Sequence, residues 1–274
     1  MAQASGVGSG TCRRSHRVVL RRPRGTYTAA VAPQLLEGVV ELKANGMAMA
    51  RKANKPTMSV EIYGMEISGN VIPPVLFAMD KKCGKFVRKD MMKGELKTQE
   101  FLKINPWGQM PAMQDGKFCL AEGNAILRYL ANKYCPSAYG GSDLKSKAMI
   151  DWALDWANTN FMKQYAGIWY PTVGFGSPPE DQKAVNDACT ENLNKFAKLF
   201  LATTKFVGGD SPSIADYKCA VLFWYLDFPA IRQQRAGFEL PERIKAYVKD
   251  FMDTCESKDF LSGGSGFMAS KATN

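Results

Sequence analysis

Histidine is almost missing from this chain: 274 residues hold one, His16. Beyond that position no Ser-His-Asp or Cys-His mechanism is available, and no histidine-ligated zinc or iron site. No Cys-x-x-Cys pair occurs, and the seven cysteines (Cys12, Cys83, Cys119, Cys135, Cys189, Cys219, Cys255) are odd in number. That pattern fits reduced thiols in a reducing compartment rather than a disulfide framework. Long apolar runs are also lacking. The longest uncharged one, Ala220 to Leu226, is far too short to cross a bilayer, so no membrane span is expected. Any chemistry is left to hydroxyls, carboxylates, amines, thiols and backbone dipoles, with no metal.

Acid is absent from residues 1–36, which carry six Arg and several Ser and Thr. Residues 1–57 hold ten basic and two acidic groups, a charge of +8. Residues 58–274 hold 26 Lys+Arg against 24 Asp+Glu, or +2. Eight of the ten net positive charges therefore sit at one end, and a near-neutral body exerts no general pull on a phosphate backbone. No nucleic-acid partner is expected. The basic leader, 1–57, reads as a mitochondrial or plastid transit peptide, as a disordered extension, or as upstream sequence before a start at Met47, Met49 or Met58. The location expected is cytoplasmic, or mitochondrial or plastid if the leader is a transit peptide.

Ser59-Val-Glu-Ile-Tyr63 alternates as a strand does, and Val71 to Lys82 reads as a helix with Pro73 and Pro74 in its first turn. Lys85 to Met91 is a second strand, and Gln99 to Ile104 a short helix. Met110–Met113 and Phe118–Ala121 form a hairpin about Asp115-Gly116, and Asn124 to Tyr134 is a helix. After a polar stretch only helical spacing remains, as in Val185, Cys189, Leu193, Phe196 and Phe200. The expected divisions are an α/β domain over 58–137, a linker at 138–147, an all-helical domain over 148–262 and a flexible Gly- and Ser-rich tail at 263–274. An α/β unit followed by an all-α unit is an uncommon order and narrows the fold.

Four segments stand out, three for candidate chemistry and the last for folding. Asn105-Pro-Trp-Gly-Gln-Met-Pro111 specifies an irregular loop entering a strand. Glu122-Gly-Asn-Ala-Ile-Leu-Arg-Tyr-Leu130 opens a helix, and Tyr63-Gly-Met-Glu-Ile-Ser68-Gly-Asn70 follows the first strand. Ser213-x-x-Asp216 is a capping box ahead of an apolar run. Read from residue type alone, Ser68 is more often a helix N-cap, and Lys97 is equally a solvated charge. Trp152 and Trp156 lie on an aromatic stripe at helical spacing, which reads as core.

In combination, and from about Ser59 to Leu261, these segments resemble the glutathione-transferase family, of the serine type with theta- and phi-like features. The resemblance implies an α/β thioredoxin-like N-terminal domain plus an all-α C-terminal domain, and a homodimer. It implies a cis Pro111 that leaves the Met110 backbone groups to glutathione, the co-substrate. Ser68 matches the hydroxyl that holds the glutathione sulfur as thiolate. Asn70, Lys97, Gln109, Met110, Pro111, Glu122 and Gly123 match glutathione-binding positions, Lys97 that of the glycine carboxylate. Tyr165, Trp169 and Tyr170 match the wall of the electrophile pocket. Gly123 stands where the family has serine, so the helix N–H groups remain and the hydroxyl is gone; one hydrogen bond to a charged group is worth about 1.5–3 kcal/mol. Leu96 stands where one plant class has histidine. The implied activity is conjugation of reduced glutathione to small-molecule soft electrophiles, a detoxifying transferase. The alternative is a non-catalytic scaffold on the same fold, because Phe118-Cys-Leu-Ala-Glu122 also resembles a segment of the gamma subunit of a translation elongation factor. A third reading is a glutathione-dependent reductase or peroxidase, and it is disfavoured because those reductases usually carry cysteine at the Ser68 position.

Overall fold

The computed structural model describes residues 60–172, 174, 176–228 and 238–272. The basic leader, with its targeting and start-site readings, lies outside the described residues.

Strand β1 (Val60–Gly64) turns Val60 and Ile62 into the main core, while Tyr63 points to the opposite face. It runs parallel to β2 (Gly84–Arg88) and antiparallel to β3 (Ala112–Asp115), which pairs with β4 (Phe118–Ala121). The order is β2-β1-β3-β4, a mixed sheet of thioredoxin-like topology. The hairpin turns at Gly116, whose φ of 61° is one that glycine adopts without steric cost. Helix α1 (Ile72–Asp80) is shorter at both ends than its sequence pattern suggests, but Pro73 and Pro74 do sit in its first turn. Residues Ile72 to Ala78 are all buried, because α1 is covered on one side by the sheet and on the other by helices. Helix α2 (Gln99–Ile104) covers the second sheet face, where Tyr63, Leu96, Phe101 and Ala112 form a small separate cluster. Helix α3 (Gly123–Tyr134) completes the βαβ–ββα order.

The remainder is helical: α4 (Leu144–Trp156), a π-helical turn (Ala157–Phe161), α5 (Met162–Thr172), α6 (Gln182–Phe200), α7 (Ile214–Leu226), α8 (Glu242–Thr254) and α9 (Leu261–Ala272). Helix α7 is the axis of this part, buried at all but one of its positions, and it packs on α1, α3, α4, α5 and α8. Its capping box forms: Asp216 accepts from the Ser213 N–H and hydroxyl at 2.7 Å each. Asp216 also takes the Val207 N–H and the Tyr247 hydroxyl at 2.8 Å each. Between the two regions, Tyr217 donates to Asp80 at 2.6 Å, and the Ser257 N–H donates to the same carboxylate at 2.7 Å.

Three expectations differ from what is observed. Helix α4 begins at Leu144, inside the stretch read as linker, because the Asp143 side chain caps it through the Lys145 and Ser146 N–H groups. Trp152 is half exposed although its ring meets Phe200, since the buried stripe of α4 runs through Ile150, Ala153 and Leu154. Trp156 does pack into the core, stacked on Phe161. The tail read as flexible forms α9. Leu261 is buried, and the absence of a side chain lets Gly264 approach the Glu66 carbonyl, which an added Cβ would meet at 2.7 Å. Gly and Ser, read as signs of loose chain, here permit close packing. Among the described residues no helix is long and apolar enough to cross a membrane.

Candidate glutathione site

The chain passes from β1 into α1 through a turn at Ser68–Asn70. Ser68 lies ahead of the helix, whose N-cap is Val71, so the serine is not the N-cap residue. Its carbonyl accepts from the Val71 and Ile72 N–H groups at 2.9 and 3.0 Å, while its hydroxyl oxygen accepts weakly from the Asn70 N–H at 3.4 Å. Among the described residues the hydroxyl donates to no protein group. Ser68 lines a cavity of about 760 Å³.

The Asn105–Pro111 loop forms the next wall. The Met110–Pro111 peptide is cis. Met110 precedes the β3 ladder, which starts at Ala112, so its peptide groups stay outside the sheet pairing. Asn105, buried, braces the loop by donating to the Gln109 carbonyl at 2.7 Å. Lys97 reaches across and donates to the Gly108 and Trp107 carbonyls at 3.0 and 3.4 Å. An ammonium has three N–H donors, so one proton stays available for an anion. The side chain of Gln109 is exposed at the rim.

The third wall is the start of α3. Glu122, which precedes it, has φ 70°, a left-handed conformation that a non-glycine residue holds only where its surroundings demand it. The first N–H groups of α3 have no partner within the helix and carry its positive pole. At Gly123 an added Cβ would lie 2.7 Å from the Asn70 carbonyl oxygen. The missing serine is therefore not simply a lost hydroxyl: the turn after β1 occupies its space.

The helical part closes the cavity. Tyr165 and Trp169 are 2% and 3% exposed and stack with centroids 5.9 Å apart, while Tyr170 is 45% exposed. All three line the cavity, together with Met162 and Asn158 from the π-turn region. Among the described residues the buried Tyr165 hydroxyl has no protein partner. Ser68, Asn70, Lys97, Gln109, Met110, Pro111, Glu122, Gly123, Tyr165, Trp169 and Tyr170 thus share one cavity. Leu96 also reaches it but is largely buried in the cluster under the sheet. Burial pushes the thiol of Cys83 up to about 11 and that of Cys255 up to about 12, so neither is a ready nucleophile. Among the described residues no group of three His, Cys, Asp or Glu side chains is placed to hold a metal ion.

Sequence reasoning missed Met91, Asn158 and Met162 at the rim and Lys218 beneath the floor. Lys218 had a legible signal, a charge inside the otherwise apolar run of α7.

A cis-proline loop, a helix N-terminus and a serine around one cavity, on a thioredoxin-like sheet followed by helices, define the class of protein as thioredoxin-like α/β plus all-α. The family model for the glutathione S-transferase N-terminal domain matches residues 81–132. A probable glutathione S-transferase GSTF2 of Oryza sativa subsp. japonica is 34% identical over 170 residues, covering 57% of this chain and 76% of that protein. Glutathione S-transferase theta-2 of Homo sapiens is 32% identical over 133 residues, which is 46% of this chain and 54% of that protein. Among solved structures, poplar glutathione transferase F1 superposes with a TM-score of 0.62 at 27% identity, over 76% of this chain and 98% of that one. The chain belongs to the glutathione S-transferase family.

Proposed function

We propose that the cavity binds reduced glutathione and that the protein transfers it to small soft electrophiles. The observation that carries this reading is the convergence of Ser68, the Met110–Pro111 loop and the α3 N-terminus on one cavity. In this reading the Met110 peptide pairs with the cysteinyl backbone of glutathione, and the α3 N–H groups take the γ-glutamyl carboxylate. Lys97 and Gln109 meet the glycine end. The Ser68 hydroxyl donates to the sulfur and favours the thiolate, so no histidine base is needed. The thiolate attacks the electrophile, a carbon–sulfur bond forms and the leaving group departs. Tyr165, Trp169 and Tyr170 supply an aromatic wall for the apolar co-substrate.

The transferase names of the relatives favour this activity over a scaffold role. A homodimer fits the 79% exposure of Trp107 in the loop and the exposed Phe118 on the outer strand; a light-scattering mass of two chains is the expected result.

Removing the donor tests the role of Ser68. In Ser68→Ala, kcat for conjugation to an activated aryl halide should fall about ten- to a hundredfold, as a thiol pKa rise of one to two units requires. KM for glutathione should change little, because the lost interaction belongs to the ionised sulfur. An unchanged kcat would remove Ser68 from the mechanism.

A further inference from the structure

Lys218 sits in the middle of α7 with 1% of its surface exposed, between Tyr217 and Cys219. A lysine buried in such a place needs partners. No carboxylate pairs with it among the described residues; its ammonium donates to Oδ1 of Asn70. Burial pushes its pKa down to about 8. The charge that bears on it is Glu122 ahead of α3, and its neighbour Cys219 is a buried neutral thiol. Other nearby acids are engaged: Asp80 of α1 by Tyr217 and the Ser257 N–H, Asp151 and Asp155 of α4 by Arg128, and Asp216 by its own box.

An ammonium only donates, so Asn70 must turn its oxygen toward Lys218. The amide nitrogen of Asn70 is thereby turned the other way, and it has no protein partner among the described residues. Asn70 is also a wall of the cavity. Its carbonyl fills the space that a Cβ on residue 123 would need.

We propose that Lys218 is a positioning residue: it locks the Asn70 amide so that its N–H donors face the cavity, where they take over the ligand contact that Gly123 cannot make. The inference rests on the glutathione reading above and adds to it a group that never touches the ligand. The anionic γ-glutamyl end is the part of glutathione such a donor suits, beside the N-terminus of α3.

The test is calorimetric titration of glutathione into the full chain and into Lys218→Met, Asn70→Ala and the double variant. Each single substitution should weaken binding about tenfold or more, the worth of a hydrogen bond to a charged group. The double variant should bind no more weakly than Asn70→Ala alone, since the lysine acts only through the asparagine. Lys218→Met should melt at or above the wild-type temperature, because a buried charge gives way to an apolar side chain of similar size. Asn70→Asp supplies a control: it keeps and strengthens the lysine contact but removes the amide donor, so it should melt higher and bind worse. Wild-type affinity in Lys218→Met, or independent losses that multiply in the double variant, would overturn the inference alone. No binding by the wild-type protein would overturn it together with the glutathione reading.

Discussion

At Gly123 a single absent methylene group decides how two segments meet. A Cβ there would stand 2.7 Å from the Asn70 carbonyl oxygen, and backbone cannot yield as a flexible side chain does. The substitution that restores the family's serine should therefore harm this protein. Gly123→Ser should lower stability by about 1–3 kcal/mol, the usual cost of overpacking, and should weaken glutathione binding rather than strengthen it. A thermal melt beside a titration checks both, and tighter binding would show that the hydroxyl alone was missing. Ser68, Lys97 and Gln109 were singled out by their match to family positions, and all three line the one cavity. The crowding at Gly123 and the Lys218–Asn70 contact were not legible. The second joins residues 148 positions apart, a relation that local pattern does not carry.

Among the elements, α7 was read most completely. Its capping box and apolar run stand together in the sequence, and both appear in the structure. What the pattern did not reveal is that Asp216 also anchors the Val207 N–H and the Tyr247 hydroxyl. Burial pushes this carboxyl up to about 6, against the pull of its hydrogen-bond donors. Asp216→Ala strands those donors in the core, each worth about 1–3 kcal/mol when unsatisfied. We expect a loss on the order of 3–5 kcal/mol and a fall in melting temperature of about 10 °C or more. A fall of only a degree or two would mean that the box is ornamental. Helix α9 was misread for the opposite reason. Glycine and serine usually mark loose ends, yet here the Ser265 hydroxyl donates to the Leu261 carbonyl and Gly264 packs on Glu66. Composition cannot distinguish glycine chosen for freedom from glycine chosen for fit.

For the whole molecule, the order of an α/β unit followed by helices was the most informative feature, since it limited the fold before any motif was used. The parallel pairing of β1 with β2 follows from the helix that joins them, and the Asp115-Gly116 turn determines the hairpin. The assembled cavity was not visible in any one segment: the thioredoxin-like part supplies its polar walls and the helical part its aromatic one. That division suits a site that holds a polar tripeptide thiol at one side and an apolar co-substrate at the other.

The most direct measurement is a pH titration of the thiolate absorbance of glutathione bound to the full chain, beside Ser68→Ala. The account predicts that the bound thiol ionises at least about one pH unit below free glutathione in the wild-type protein, as an oriented donor near a helix N-terminus requires. In Ser68→Ala the bound thiol should return toward the free value. A bound thiol that titrates like free glutathione, or the same low pKa in both proteins, would contradict the assignment of Ser68 and the cavity to thiol activation.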